Sequence, residues 1–176
     1  MSSRSYITKI AVVGPESTGK STLSQQLAQH YNALWVPEYA REYCEKLLKP
    51  VSISDELNIF SGQIALEDRL LNKAEKVLIC DTTILTVKIW CDYLFNSTPQ
   101  PVLDQLKSRR YDFYLLMDID LPWEDDPLRD FPNLREYFLE VWKNELHTLK
   151  ANYALISGSN DKRLKNALEV LERLNL

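Results

Sequence analysis

Short apolar runs, rich in β-branched and aromatic residues, alternate along this chain with stretches whose apolar positions recur every three to four residues. The runs fall near Ile7–Val13, Leu34–Pro37, Val77–Asp81, Phe113–Asp118 and Tyr153–Ser157, and each is predicted to be a strand. Leu23, Leu27 and Tyr31 put an apolar stripe on a helix from Lys20 to about Tyr31. A second helix is predicted to start after Glu38 and to end before Pro50. Leu57, Phe60, Ile64 and Leu71 mark a long amphipathic helix over Ser54–Ala74, with Asp55 and Glu56 suited to its positive N-terminal end. Further helices are expected over Ile84–Phe95 and, briefly, after Pro101. One stripe runs through Leu134, Tyr137, Phe138, Val141, Trp142, Leu146 and Leu149, and another through Leu164, Leu168, Leu171 and Leu174. Core packing accounts for these stripes without invoking a partner surface.

Strands alternating with helices predict an α/β fold whose parallel sheet is covered on both faces. No repeat, low-complexity tract or linker divides the chain, so residues 1–176 are expected to form a single domain. Ligands of such sheets bind at the C-terminal ends of the strands, which directs attention to the residues that follow each run.

The strongest of these follows the first run. Gly14-Pro15-Glu16-Ser17-Thr18-Gly19-Lys20-Ser21-Thr22 matches the phosphate-binding pattern G-x-x-x-x-G-K-[ST] between a strand and a helix. Gly14 and Gly19 let backbone N–H groups turn inward around a triphosphate, and the helix N-terminus adds partial positive charge. Lys20 would reach the β- and γ-phosphates, and the Ser21 hydroxyl would bind Mg²⁺. A nucleoside triphosphate and Mg²⁺ are therefore the expected ligands of this loop.

The other strand ends supply candidate chemistry. Glu38 follows the second strand, where a carboxylate can accept a proton from an attacking hydroxyl or bind the acceptor; it can equally cap the next helix. Arg41, a turn further on, either faces the same cleft or pairs with Glu45. Val77-Leu78-Ile79-Cys80-Asp81 has the four-apolar-then-Asp form of a Walker B strand, so Asp81 is a metal or acceptor ligand, with an N-cap as the competing role. Arg129 and Arg135 lie on a proline-punctuated segment, about residues 122–135, that suits a lid bringing guanidinium charge to the transferring phosphoryl group. Surface pairing with neighbouring acids is the alternative for both. Gly158, after the last strand, suits a close approach to a nucleotide base, although a plain strand-to-helix turn would use the same residues.

Composition narrows the function classes. The net charge of −4 and the absence of a basic run argue against a nucleic-acid surface. Cys44, Cys80 and Cys91 lack metal-ligand spacing and only two histidines are present, which argues against structural zinc and for reduced thiols in a cytoplasmic protein. No membrane-spanning run is present, and Met1–Ser5 lead straight into the first strand without a signal-like segment.

Four segments together resemble one family. These are the phosphate loop, Pro37-Glu38-Tyr39-Ala40-Arg41-Glu42-Tyr43, Asp81-Thr82-Thr83-Ile84-Leu85-Thr86-Val87-Lys88-Ile89-Trp90, and Asp118-Ile119-Asp120-Leu121-Pro122-Trp123-Glu124-Asp125-Asp126-Pro127-Leu128-Arg129. They look like the ribosylnicotinamide kinase domain of NadR-type proteins, which are P-loop kinases. The resemblance covers nearly the whole chain and weakens over the final helix. It implies a three-layer sandwich with strand order 2-3-1-4-5 and a lid, and transfer of the ATP γ-phosphoryl group to the 5′-hydroxyl of nicotinamide riboside. By position it implies phosphate and Mg²⁺ roles for Lys20 and Ser21, a metal-side carboxylate in Asp81, and an acceptor-side one in Glu38. Family members often carry an adenylyltransferase domain and sometimes a helix-turn-helix; with the first strand near residue 6, neither is expected in this chain.

The proposed acceptor carries a pyridinium cation and no phosphate, so its pocket should be acidic and aromatic. Glu38, Tyr39, Asp81, Trp90, Trp123, Asp125 and Asp126 offer that chemistry, although mid-helix Trp90 is equally suited to the core. A kinase for another nucleoside or nucleoside monophosphate is the nearest alternative, and an ATP-binding regulatory switch the next. Oligomeric state, nucleoside triphosphate preference and feedback by NAD leave no mark in these patterns.

Overall fold

The computed structural model describes residues 6–174. The stretch 1–5, read above as free of a signal-like segment, and residues 175–176 lie outside the described residues. Strands β1 (Thr8–Val13), β2 (Leu34–Val36), β3 (Val77–Asp81), β4 (Phe113–Met117) and β5 (Tyr153–Ile156) form one parallel sheet in the order β2-β3-β1-β4-β5. This is the fold and strand order anticipated from the sequence.

Alternation along β1 explains the layers. Ile10 and Val12 point to one face, where α1 (Lys20–His30) and α7 (Asn160–Arg173) cover them with Leu23, Leu27, Ala167 and Leu171. Ala11 and Val13 point to the other, against α4 (Ile84–Phe95) and α6 (Arg135–Thr148) through Leu85, Ile89, Phe138, Trp142 and Leu146. Because both faces are covered, successive strand residues are all buried, as Ile10 to Val13 are. Helix α3 (Ile53–Leu71) packs Leu66, Leu70 and Leu71 over Val36, Leu78 and Cys80 of β2 and β3. Its N-terminus is closed by a capping box in which the Ser52 hydroxyl accepts from Asp55 N–H while the Asp55 carboxylate accepts from Ser52 N–H.

The second helix is far shorter than its predicted run to Pro50. Helix α2 spans only Tyr39–Cys44. Beyond it Leu48 is fully exposed, leaving little apolar burial to sustain a helix, and Pro50 disfavours helical backbone at Lys49. Helix α5 (Gln100–Ser108) completes the layer beside α4. Tyr137 and Leu174, assigned above to apolar stripes, are half exposed.

Candidate active site

The phosphate loop leaves β1 through Gly14, whose φ of 139° is open to glycine; a Cβ there would lie 3.1 Å from the Met117 backbone. Gly19, at φ 79°, turns the chain into α1. The loop carbonyls are held from outside. Pro15 O accepts from Lys20 Nζ at 2.8 Å and from the Thr18 hydroxyl at 2.8 Å. Arg135 donates to Ser17 O at 3.2 Å, and the buried Arg163 donates to Thr18 O at 2.8 Å. The N–H groups of residues 16–19 donate to no partner among the described residues, leaving the N–H array that an anion requires. Loop residues line a cleft of about 1000 Å³ that crosses the C-terminal ends of the strands.

On the β2–β3 side, Glu38 occupies the N-cap position of α2 but makes no side-chain capping bond. Its half-buried carboxylate lines the cleft. Asp81, at the end of β3, is buried, and its Oδ1 has no hydrogen-bond partner. Burial and the charge of Glu38 push the Asp81 carboxyl up to about 6, while the Ser21 hydroxyl and the Lys20 charge pull it back. The α4 cap is Thr83, whose hydroxyl accepts from Leu85 N–H at 3.2 Å, so Asp81 is free of the capping role considered above. Thr82 sits at φ 69° with its hydroxyl bonded to that of Thr86.

The buried, unpartnered Asp81 Oδ1 beside the Ser21 hydroxyl suits Mg²⁺, which binds through one or two protein oxygens plus substrate phosphates and water. No group of three His, Cys, Asp or Glu side chains able to hold a metal exists among the described residues, so the protein alone builds no closed cage.

Tyr39 and Trp90 part company. The Tyr39 ring covers Gly62 on α3, where an added Cβ would meet it at 2.1 Å, and the Tyr39 N–H donates to Gln63 at 2.8 Å. Tyr39 therefore lies outside the cleft lining, whereas Gln63 is part of it. Trp90 lines the cleft and stacks at 5.6 Å on Phe131 and 5.0 Å on Phe138. Two cleft-lining groups carry no signal in the sequence beyond helix propensity. Glu56, 5% exposed, reaches the cleft from the first turn of α3. Cys44 does so from α2, its thiol pushed by burial to about 11 and thus protonated at neutral pH.

The segment 118–131 lies irregularly over the phosphate loop before a 3-10 turn (Pro132–Leu134) leads into α6. Glu124 N–H donates to the Ser17 hydroxyl at 2.9 Å, and Phe131 N–H to Glu16 at 3.4 Å. Arg129 lines the cleft, donating to Glu124 O at 2.5 Å and the Ser17 hydroxyl at 3.4 Å. Arg135 is spent on Ser17 O and Leu121 O, outside the lining. Trp123 bonds Asp125 and lies 6.0 Å under Arg135, also outside. Asp126 crosses the mouth instead: it binds Arg41 at 2.6 Å, while Arg41 also approaches Glu45 at 3.6 Å.

On the β5 side, both backbone polar groups of Gly158 are committed, its N–H to Asp120 at 2.5 Å and its carbonyl to Arg163 Nε at 2.5 Å. Gly158 is absent from the cleft lining, which passes to Ser159, Asn160 and Asp161. Arg163, unmarked in the sequence among the charged residues of α7, also pairs with Asp120 and so ties this turn to the phosphate loop.

Comparison with known proteins gives a consistent picture. A family model described as an AAA domain matches residues 9–163. The trifunctional NAD biosynthesis/regulator protein NadR of Salmonella typhimurium is 30% identical over 129 residues, which is 70% of this chain and 31% of that protein. The Escherichia coli protein of the same name is 31% identical over 129 residues, with the same coverage of both chains. The chain thus spans about a third of the length of these curated relatives. A crystal structure of NadR protein in complex with NR has a TM-score of 0.76 at 22% identity, covering 96% of this chain and 49% of that one. Deoxyadenosine kinase from M. mycoides has a TM-score of 0.65 at 17% identity, covering 96% of this chain and 99% of that one. At these identities the structures share the fold.

Proposed function

We propose a catalytic role for this chain, which belongs to the AAA-domain family: it transfers the γ-phosphoryl group of ATP to the 5′-hydroxyl of nicotinamide riboside, giving nicotinamide mononucleotide and ADP. The observation that carries this reading is a single cleft joining the phosphate loop to uncommitted carboxylates on the β2–β3 side, with no unpaired cation among the described residues to receive an acceptor phosphate there. Of the cleft-lining cations on that side, Arg41 is paired with Asp126 and Lys49 with Asp55. A nucleoside monophosphate would need such a cation, whereas a pyridinium nucleoside is favoured by its absence. The relatives named for NAD biosynthesis support the same acceptor.

In this reading the triphosphate is held by the N–H groups of residues 16–19 and by Lys20, which exchanges Pro15 O for phosphate oxygens. Ser21 and Asp81 hold Mg²⁺, which when bound neutralises charge on the phosphates. Glu38 accepts the proton of the acceptor hydroxyl as its oxygen bonds to the γ-phosphorus; the bond to the bridging oxygen breaks, and that oxygen leaves on ADP. Arg129, already at the cleft, stabilises the transferring group, while Arg135 positions the loop beneath it. The lid, about residues 122–135, excludes water. The base lies toward Ser159 and Asn160, with Gly158 shaping that turn.

The test is ADP release from ATP and Mg²⁺ with and without nicotinamide riboside, with product identified by mass. Strong dependence on the riboside and formation of the mononucleotide are expected. Equal turnover without any acceptor would favour a regulatory ATPase, and preference for a neutral nucleoside would favour another nucleoside kinase.

A further inference from the structure

We propose that Glu56 is the residue that selects a positively charged acceptor, its carboxylate serving as counter-ion to the base of the nucleoside. The inference rests on the kinase reading above and extends it to a residue which that mechanism does not use.

Glu56 combines features that an ordinary helical glutamate lacks. It is 5% exposed, yet it lines the cleft. Its side chain has no hydrogen bond or ion pair among the described residues. Its neighbour Asp55 shows the contrast, being bound by Lys49, the Ser52 hydroxyl and N–H, and the Tyr43 hydroxyl. The groups facing Glu56 from its surroundings are Asp55 on its own helix, Cys44 on α2 and Cys91 on α4. Glu38 and Asp130 act on the same corner, through Cys44. None of these is a cation. Burial, and secondarily the charge of Asp55, raise the Glu56 carboxyl to about 7, so it ionises only at a cost that an incoming cation would remove. A carboxyl kept buried, unpaired and facing the acceptor side of a ligand cleft is complementary to a ligand that brings positive charge and little surrounding water.

The experiment compares two acceptors of nearly the same shape, nicotinamide riboside and its uncharged 1,4-dihydro form, in the intact chain with ATP and Mg²⁺. The readout is the ratio of their kcat/KM values, which cancels groups that act equally on phosphoryl transfer. The expected result is a ratio favouring the cation in the unmodified protein and falling about 10- to 100-fold in Glu56→Gln, which keeps shape and hydrogen bonding but removes charge. The same ratio in the unmodified protein should rise between pH 6 and 8 as Glu56 ionises, a measurement that does not depend on the variant folding. An unchanged ratio in the variant, or a flat pH profile, overturns the proposal while leaving the kinase reading intact. Equal losses for both acceptors would overturn it in favour of a sugar-hydroxyl contact. Turnover of neither acceptor by the unmodified protein overturns the kinase reading and this proposal together.

Discussion

Glu38 carries the sharpest residue-scale consequence, because it is a half-buried carboxylate at a helix N-cap that makes no capping bond. Side-chain caps contribute about 0.5–2 kcal/mol where the bond is made, so its absence here means that Glu38→Gln should leave thermal stability almost unchanged. The same substitution removes a proton acceptor of the proposed reaction, an effect worth about 10²- to 10⁴-fold in kcat. Steady-state ADP release at saturating acceptor, paired with a melting curve, checks both halves. A kcat within a few-fold of the unmodified protein would move proton acceptance to Asp81, whose buried Oδ1 is also without a hydrogen-bond partner and whose carboxyl feels the charge of Glu38. Lys20 makes the complementary case: its bond to Pro15 O, at 2.8 Å, parks the ammonium over the loop that it is proposed to complete.

At the scale of elements, the segment proposed as a lid is tied down at both ends of the cleft, to the phosphate loop through Glu124 and Phe131 and to α2 through Asp126 and Arg41. The second tie is an ion pair with half of the Arg41 side chain in solvent, so it is worth no more than about 1 kcal/mol and is screened by salt. Asp126→Asn keeps the turn in which Leu128 N–H donates to Asp126 Oδ1 at 3.0 Å, but it loses the charge. Amide hydrogen exchange over residues 124–131 should therefore quicken by up to about fivefold in the variant, and in the unmodified protein at high salt. Unchanged exchange would mean that the loop contacts alone hold the lid. The strands and the phosphate loop were legible in the sequence because each is a short-range pattern: Ile10 to Val13 are apolar in succession, and Gly14 to Thr22 carry fixed spacing. The shortness of α2 was not, since it depends on Leu48 finding nothing to pack against. Nor was the distinction between Arg129 at the cleft and Arg135 beneath the loop, which is settled by where the chain folds back after β4. Glu56 and Arg163 were hidden for the same reason, as local sequence marks them only as first-turn acid and helical base.

Across the whole molecule, helix α3 carries buried carboxylates to opposite ends of the sheet, and two of them, Glu67 and Glu56, obey opposite rules. Glu67, fully buried near the N-terminal ends of β1 and β4, is met by Lys9 at 3.2 Å, Arg109 at 2.9 Å and the Tyr111 hydroxyl at 2.6 Å. Glu56, near the C-terminal ends where the cleft lies, is met by no cation among the described residues. Removing charge from the first takes the carboxylate from Lys9 and leaves Arg109 with only Asp68, at 2.9 Å, which should cost about 3–5 kcal/mol in Glu67→Gln. Removing it from the second should do the reverse, with a dependence on pH. The folded-state value of Glu56, about 7, lies above that of an ordinary glutamate, so the folded protein binds more protons than the unfolded chain between those two values. Its contribution is fully present below the ordinary glutamate range and is lost as pH rises toward 7. Glu56→Gln has no such loss. It should match the unmodified protein near pH 4.5 and exceed it by roughly 2–3 kcal/mol at pH 8, discounted for residual solvent contact. Urea unfolding of the ligand-free protein at both pH values measures the difference. A variant that gains stability above pH 7 while losing its preference for the charged acceptor would mark Glu56 as strain held in the fold for the sake of its ligand. Equal stability at both pH values would show that the carboxylate is already compensated without one.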